Sequence, residues 1–256
     1  MSRLAELFSR KKERVLNVYC TAGYPGLDDT LPVMKALQEH GADIIELGMP
    51  FSDPLADGPV IQHSSSRALA NGMTLKKLFE ELRGFRKEIH IPVVLMGYMN
   101  SVLQYGFEAF CADAEAVGID GLILPDLPEF EYNALYGDII KKHGLDFIFL
   151  VTPETTEERV RRLDSLSSGF IYAVSSSATT GSEQDPGAVS DYLRRLGSWS
   201  LRNPVLVGFG IRDKAGFDRV CQLAPGGIIG SAYIKALENS RDVNASTKSF
   251  LSSILG

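Results

Sequence analysis

Two carboxylates stand out in one stretch, Glu46-Leu47-Gly48-Met49-Pro50-Phe51-Ser52-Asp53-Pro54-Leu55-Ala56-Asp57-Gly58-Pro59. Glu46 closes an apolar run, Asp43-Ile44-Ile45-Glu46-Leu47. Strand alternation puts Ile44 and Glu46 on one face, Ile45 and Leu47 on the other. If that face is the inward one, Glu46 is a carboxylate in mostly apolar surroundings. An unpaired charge there is costly, so the structural alternative is an acid paired with a buried Arg or Lys. Asp57 sits in a loop stiffened by Pro50, Pro54 and Pro59 with Gly48 and Gly58. It is either a second functional acid or an Asx-turn before Gly58-Pro59. For Asp53, followed by Pro54, the turn reading is preferred.

A second chemistry is carried by glycines at Thr180-Gly181, Gly208-Phe209-Gly210 and Gly230-Ser231. Glycine lets a backbone approach phosphate oxygens closely, and a helix start adds N–H donors. Ser231 is positioned to cap a helix over Ala232–Leu237 and to donate to phosphate. Each loop alone is also compatible with an ordinary tight turn. The four histidines, His40, His63, His90 and His143, are dispersed without ligand spacing, so no metal site is expected.

The elements that must hold these residues alternate. Short β-rich runs fall at Val15–Thr21, Asp43–Leu47, Pro92–Gly97, Gly121–Leu124, Asp146–Val151, Phe170–Val174, Pro204–Val207 and Gly227–Gly230. Continuous apolar runs such as IPVVLM and DFIFLV suit strands buried on both faces. Between them come helical spacings. Leu75, Leu78, Phe79 and Leu82 follow Thr74 as N-cap; Phe107, Phe110, Cys111, Ala114 and Val117 precede Gly118 as a stop. Tyr132, Leu135, Tyr136, Ile139 and Ile140 form another apolar face, and Leu4, Leu7 and Phe8 mark a short N-terminal amphipathic helix. Strand then helix, repeated eight times, predicts an α/β fold, a (β/α)₈ TIM barrel forming one domain over 1–256. A doubly wound open sheet is disfavoured, since the first turn, Thr21-Ala22-Gly23-Tyr24-Pro25-Gly26, lacks a GxGxxG pattern. In a barrel the site belongs to the loops after the strands.

Composition bounds the partners. The 256 residues have 45% hydrophobic and 23% charged side chains, an ordinary globular balance. A net charge of −6 gives nothing to attract nucleic acid. No apolar stretch is long enough for a membrane span or a signal peptide, and Cys20, Cys111 and Cys221 lie far apart, so a cytoplasmic protein with reduced thiols is expected.

The acidic segment, nearly unbroken over its length, resembles the signature of the tryptophan synthase alpha chain family. So do Thr21-Ala22-Gly23-Tyr24-Pro25, Met96-Gly97-Tyr98-Met99-Asn100, Gly121-Leu122-Ile123-Leu124-Pro125-Asp126-Leu127-Pro128, Gly208-Phe209-Gly210-Ile211 and Gly230-Ser231-Ala232, in family order. The resemblance implies retro-aldol cleavage of indole-3-glycerol phosphate to indole and glyceraldehyde 3-phosphate, with no cofactor and no metal. It makes Glu46 and Asp57 catalytic, the first as general acid and base, the second as counter-charge to the ring N–H. It places Tyr19, Tyr98, Ile123, Tyr172 and Phe209 around the indole and glycerol, has Thr180 bond Asp57 on loop closure, and gives phosphate to Gly181, Gly210, Gly230 and Ser231. It implies a beta-chain partner in an α₂β₂ heterotetramer that receives indole; pyridoxal phosphate is expected in that partner alone. Asp53, Pro54, Asn100 and Pro128 are candidates for the facing surface.

The sequence departs from the family pattern in places. Ser176 and Ala178 stand where arginine and glycine are usual, Asn17-Val18 where an apolar residue and proline are, and Pro225 where aspartate is. The departures near Thr180 raise an alternative, a catalytically weak subunit acting mainly as allosteric activator of the beta chain. Another phosphosugar barrel, such as an isomerase or the ring-closing synthase, ranks lower, because no lysine stands at a strand end.

Overall fold

The strands are β1 Val15–Thr21, β2 Ile44–Gly48, β3 Val93–Met96, β4 Gly121–Ile123, β5 Asp146–Phe147, β6 Leu150–Val151, β7 Ile171–Ala173, β8 Val205–Val207 and β9 Gly226–Ile229. In this computed structural model, residues 2–174, 186–208 and 210–256 are described. All strand pairings are parallel, in the order β5-β4-β3-β2-β1-β9-β8-β7-β6. The two ends of that order are one continuous stretch of chain. Ile148 N–H donates to Leu122 O on one side, and Phe149 O accepts from Tyr172 N–H on the other. The sheet therefore closes on itself, and eight strand segments alternate with helices in a (β/α)₈ barrel.

The sequence predicts one strand over Asp146–Val151; the structure breaks it into β5 and β6. Ser168 and Ser167 hydroxyls accept from the Phe147 and Phe149 N–H groups, at 3.1 and 3.3 Å, where strand carbonyls would otherwise serve. The helix expected through Tyr132–Ile140 is also modified. Tyr132–Tyr136 is a π-helical turn between Glu129–Glu131 and Gly137–Lys142. The wider turn rotates Leu135 off the apolar face, so it is 59% exposed rather than packed. Thr74 and Gly118 cap as expected: the Thr74 hydroxyl accepts from Lys77 N–H, and Gly118 is left-handed at φ 93°. The helices Thr30–Glu39 and Pro59–Ala70 are not marked by the sequence patterns; the second starts on a proline, which needs no N–H partner there.

Strand parity divides two cores. Ile45 and Leu47 pack outward under the helices, whereas Ile44, Val94, Ile123, Ile148, Phe170, Leu206 and Ile228 fill the barrel interior. Helix Arg3–Arg10 inserts Leu4, Leu7 and Phe8 into that interior cluster. It closes the end from which the strands start. Asp120, just before β4, fastens this end: Arg3 donates to it at 2.9 Å, Arg86 bonds its other oxygen, and Val93 N–H donates to it at 2.7 Å. Asp120 is buried and Arg86 nearly so.

Removing one partner from such a pair strands the other charge. Asp120→Ala is expected to lower the unfolding free energy by about 3–5 kcal/mol in urea titration. The per-molecule properties of the opposite rim should be unchanged in the folded fraction.

Candidate active site

Glu46 is the middle residue of β2, on the face that holds Ile44 in the barrel interior. It is 1% exposed. No cation lies against it among the described residues, so it is not the ion-paired acid of the structural alternative. Among the described residues its carboxylate accepts one hydrogen bond, from Asn17 Nδ2 at 2.8 Å across the β1–β2 pair. Burial pushes the Glu46 pKa up to about 8, the Asn17 bond opposes that rise, and the Asp57 charge adds to it. At neutral pH the group is therefore mainly a carboxylic acid.

Asp57 is half-buried in the loop that follows β2. Burial raises its pKa and a hydrogen bond from the Tyr98 hydroxyl lowers it. That hydroxyl also accepts from Ala56 N–H at 3.1 Å, and Phe51 stacks on the Tyr98 ring with centroids 5.4 Å apart. The loop is thus pinned to β3's exit by one tyrosine. The Asp57 backbone carbonyl accepts from Gln62 Nε2 of helix Pro59–Ala70. Asp53 behaves as expected for a turn residue; it is exposed and bonded to Ser52.

Three further predicted residues gather here. Tyr19 lies opposite Glu46 in the β1–β2 register, and its hydroxyl accepts from Thr21 Oγ1 at 3.3 Å, which in turn bonds Ser64 at 2.7 Å. Tyr172 on β7 is half-buried, packed against the interior cluster. Both phenols are pushed well above their ordinary pKa, first by burial and then by the charges of Glu46 and Asp57. Those shared effects place two acids and two tyrosines in one mouth. Ile123 ends β4 within the interior cluster.

Close approach explains two glycines. A Cβ at Gly48 would lie 2.1 Å from the Tyr19 hydroxyl, and one at Gly208 2.5 Å from the Tyr172 ring. Both rings lie across glycine backbone, so neither position has room for a side chain. On the candidate phosphate side, Gly230 is beside Tyr19, at 3.5 Å from a Cβ placed on it to the Tyr19 Cβ. Gly230, and not Ser231, is the N-cap of helix Ser231–Leu237. Ser231 is its first residue, with an exposed side chain, so its capping role is corrected while its hydroxyl still faces out at the helix start. Gly210 is left-handed at φ 45°, which glycine adopts without strain. Thr180, Gly181 and Phe209, with Ser176 and Ala178, lie outside the described residues.

Asn17 and the Tyr98 bond to Asp57 are the features that residue patterns missed. Parity offered a signal for the first: in adjacent parallel strands, Asn17 and Glu46 are both inward positions. Among the described residues, no group of three or more His, Cys, Asp or Glu side chains is placed to hold a metal ion, and no helix is long and apolar enough to cross a membrane.

Known proteins match this chain along its length. The sequence profile of the tryptophan synthase alpha chain family covers residues 5–253. The tryptophan synthase alpha chain of Parabacteroides distasonis is 51% identical over 240 residues, 93% of each chain. That of Bacteroides thetaiotaomicron is 49% identical over 243 residues, 94% of this chain and 95% of the relative. The solved alpha subunit of Legionella pneumophila superimposes with a TM-score of 0.90 at 35% identity, covering 99% of this chain and 97% of that one. A chain of Mycobacterium tuberculosis tryptophan synthase, in an aminoacrylate-bound crystal, gives 0.85 at 34% identity, covering 99% and 100%. With a barrel of this topology and matches of this extent, the chain belongs to the tryptophan synthase alpha chain family.

Proposed function

We propose that the chain cleaves indole-3-glycerol phosphate to indole and glyceraldehyde 3-phosphate, with Glu46 as the proton carrier. The observation that carries this reading is an uncompensated, fully buried carboxyl with a pKa near 8, within reach of the Asp57 charge. The cleavage needs a proton added at indole C3 and a proton removed from the hydroxyl on the adjoining side-chain carbon. Protonated Glu46 supplies the first. The ring nitrogen then carries positive charge, and Asp57 accepts its N–H and stabilises that charge. The bond from C3 to the side-chain carbon breaks, its electron pair returns to the ring, and the hydroxyl carbon becomes the aldehyde. Ionised Glu46 takes the hydroxyl proton and is restored. No cofactor enters this balance.

In this reading Tyr19, Tyr98, Ile123, Tyr172 and Phe209 enclose the indole and glycerol, and Thr180 bonds Asp57. Gly181, Gly210, Gly230 and Ser231 hold the phosphate. Gly230 beside Tyr19 and Gly208 beneath Tyr172 support that placement, since they tie the glycine loops to the acid-bearing mouth. The activator-only alternative has no observation in its favour: both acids share the mouth, and Ser176 and Ala178 lie outside the described residues.

We further propose that the subunit works in the cytoplasm with a beta chain, the partner that carries pyridoxal phosphate, in an α₂β₂ assembly. Supporting this, Leu55 at 83%, Phe130 at 80%, Leu135 at 59% and Leu103 at 50% exposure all follow the exits of β2, β3 and β4. Asp53, Asn100 and Pro128 are exposed in the same sector. Large apolar side chains concentrated on one rim sector mark a surface that another chain covers.

Three outcomes test these assignments. Glu46→Gln should reduce kcat roughly a hundredfold to ten-thousandfold in an indole-release assay, with binding of a non-cleavable phosphate analogue kept. A variant of normal turnover would remove Glu46 from the chemistry. Because the cycle starts from protonated Glu46, kcat/KM should be flat below and fall above a pH near the Glu46 value of about 8. Phe130→Asp should raise the dissociation constant for the beta chain by about tenfold or more in calorimetry.

A further inference from the structure

Asn17 is, with Glu46, a buried polar side chain among the mainly apolar residues of the barrel interior. It is 0% exposed, on the inward face of β1, next to Val15 and Tyr19 in the alternation. Burying an amide without full hydrogen bonding costs stability. Its Nδ2 reaches Glu46 Oε2 at 2.8 Å, and its Oδ1 has no partner. This is the one hydrogen bond to the Glu46 side chain among the described residues. Among the described residues, the titratable groups whose charges interact with Glu46 are Asp57 on its own loop, Tyr19 and Cys20 on β1, and Tyr172 on β7. None is a cation, so the amide is the neighbour that favours the ionised form.

We propose that Asn17 is the positioning residue for Glu46: its amide fixes the carboxyl at the barrel mouth and serves both of its protonation states. This rests on the reading of Glu46 as acid and base. An amide has a donor end and an acceptor end of nearly the same shape. With Glu46 ionised, the N–H donates to the carboxylate, as observed. With Glu46 protonated, a half-turn of the amide presents the unpartnered oxygen to the carboxyl O–H. One neutral side chain therefore accompanies the group through proton release and recapture. A lysine or arginine at this place would hold Glu46 ionised and abolish the acid step. An aliphatic residue would leave the carboxylate intermediate with no donor.

The test uses Asn17→Leu, which keeps the branching pattern of the side-chain heavy atoms, and Asn17→Val, a smaller strand-favouring residue, as an independent check against misfolding. Infrared titration of the full chain reads the protonated carboxyl band, assigned by its loss in Glu46→Gln; exposed acids are already ionised above about pH 6. Both Asn17 variants should move the Glu46 midpoint upward by about one pH unit, the scale of a hydrogen bond to a charged group. The alkaline limb of the kcat profile should move with it. At neutral pH, kcat should fall by about tenfold or more, while KM changes little. An unmoved midpoint in both variants overturns the assignment, as does a moved midpoint with an unmoved limb. The infrared midpoint needs no substrate. It therefore stays informative if Glu46→Gln retains turnover, a result that would defeat the proposed function and leave the Asn17–Glu46 interaction standing.

Discussion

A carboxylic acid sunk into the mouth of a closed barrel is the constraint around which the rest of this structure is arranged. Water cannot solvate its ionised form there, and among the described residues no cation is placed against it. The acid stays tolerable because it keeps its proton near neutrality, with one amide to receive its charge when the proton leaves. Everything adjacent respects that condition. Gly48 and Gly208 give up side chains so that Tyr19 and Tyr172 can lie across the strand exits and wall off solvent. The Thr21–Ser64 pair holds the Tyr19 hydroxyl without introducing another charge.

The opposite end of the barrel has a different task and different chemistry. Helix Arg3–Arg10 fills the interior with Leu4, Leu7 and Phe8, while Asp120 ties it and Arg86 to the starts of β3 and β4. Full ion pairing and apolar packing make this a rigid base. Among the described residues, charges are compensated at this base and left uncompensated around Glu46 at the mouth. The separation follows from strand polarity, since every parallel strand points its end at the same rim.

Much of this was legible in the residues. β1 runs over the stretch expected from its apolar pattern, and the other strand positions agree within a residue or two. Alternation put Glu46 on the face of Ile44, and the structure turns that face inward. What escaped had physical reasons. The break between β5 and β6 depends on serine hydroxyls 18 and 21 residues away in sequence, at Ser167 and Ser168. The π turn at Tyr132–Tyr136 changes a helix's register without changing its composition, so Leu135 was assigned to the wrong side. Ser231 looked like a cap because serine is a good one, yet the chain turns at Gly230. Asn17 looked like a simple departure until its strand was set beside β2.

The central claim, that the fold holds Glu46 as a buried acid, is tested most directly by linkage. A carboxyl whose folded pKa, about 8, exceeds its unfolded value near 4.5 binds its proton more tightly in the native state. Its favourable contribution is complete below the unfolded value and is lost as pH rises through the folded one. Urea unfolding of the wild-type chain and Glu46→Gln, at about pH 5 and about pH 9, measures this without substrate or partner. The two chains should differ little at the lower pH, and the glutamine chain should gain on wild type by roughly 4 kcal/mol at the higher. A stability difference that is the same at both pH values would mean that Glu46 ionises as an ordinary carboxylate, and would contradict the account.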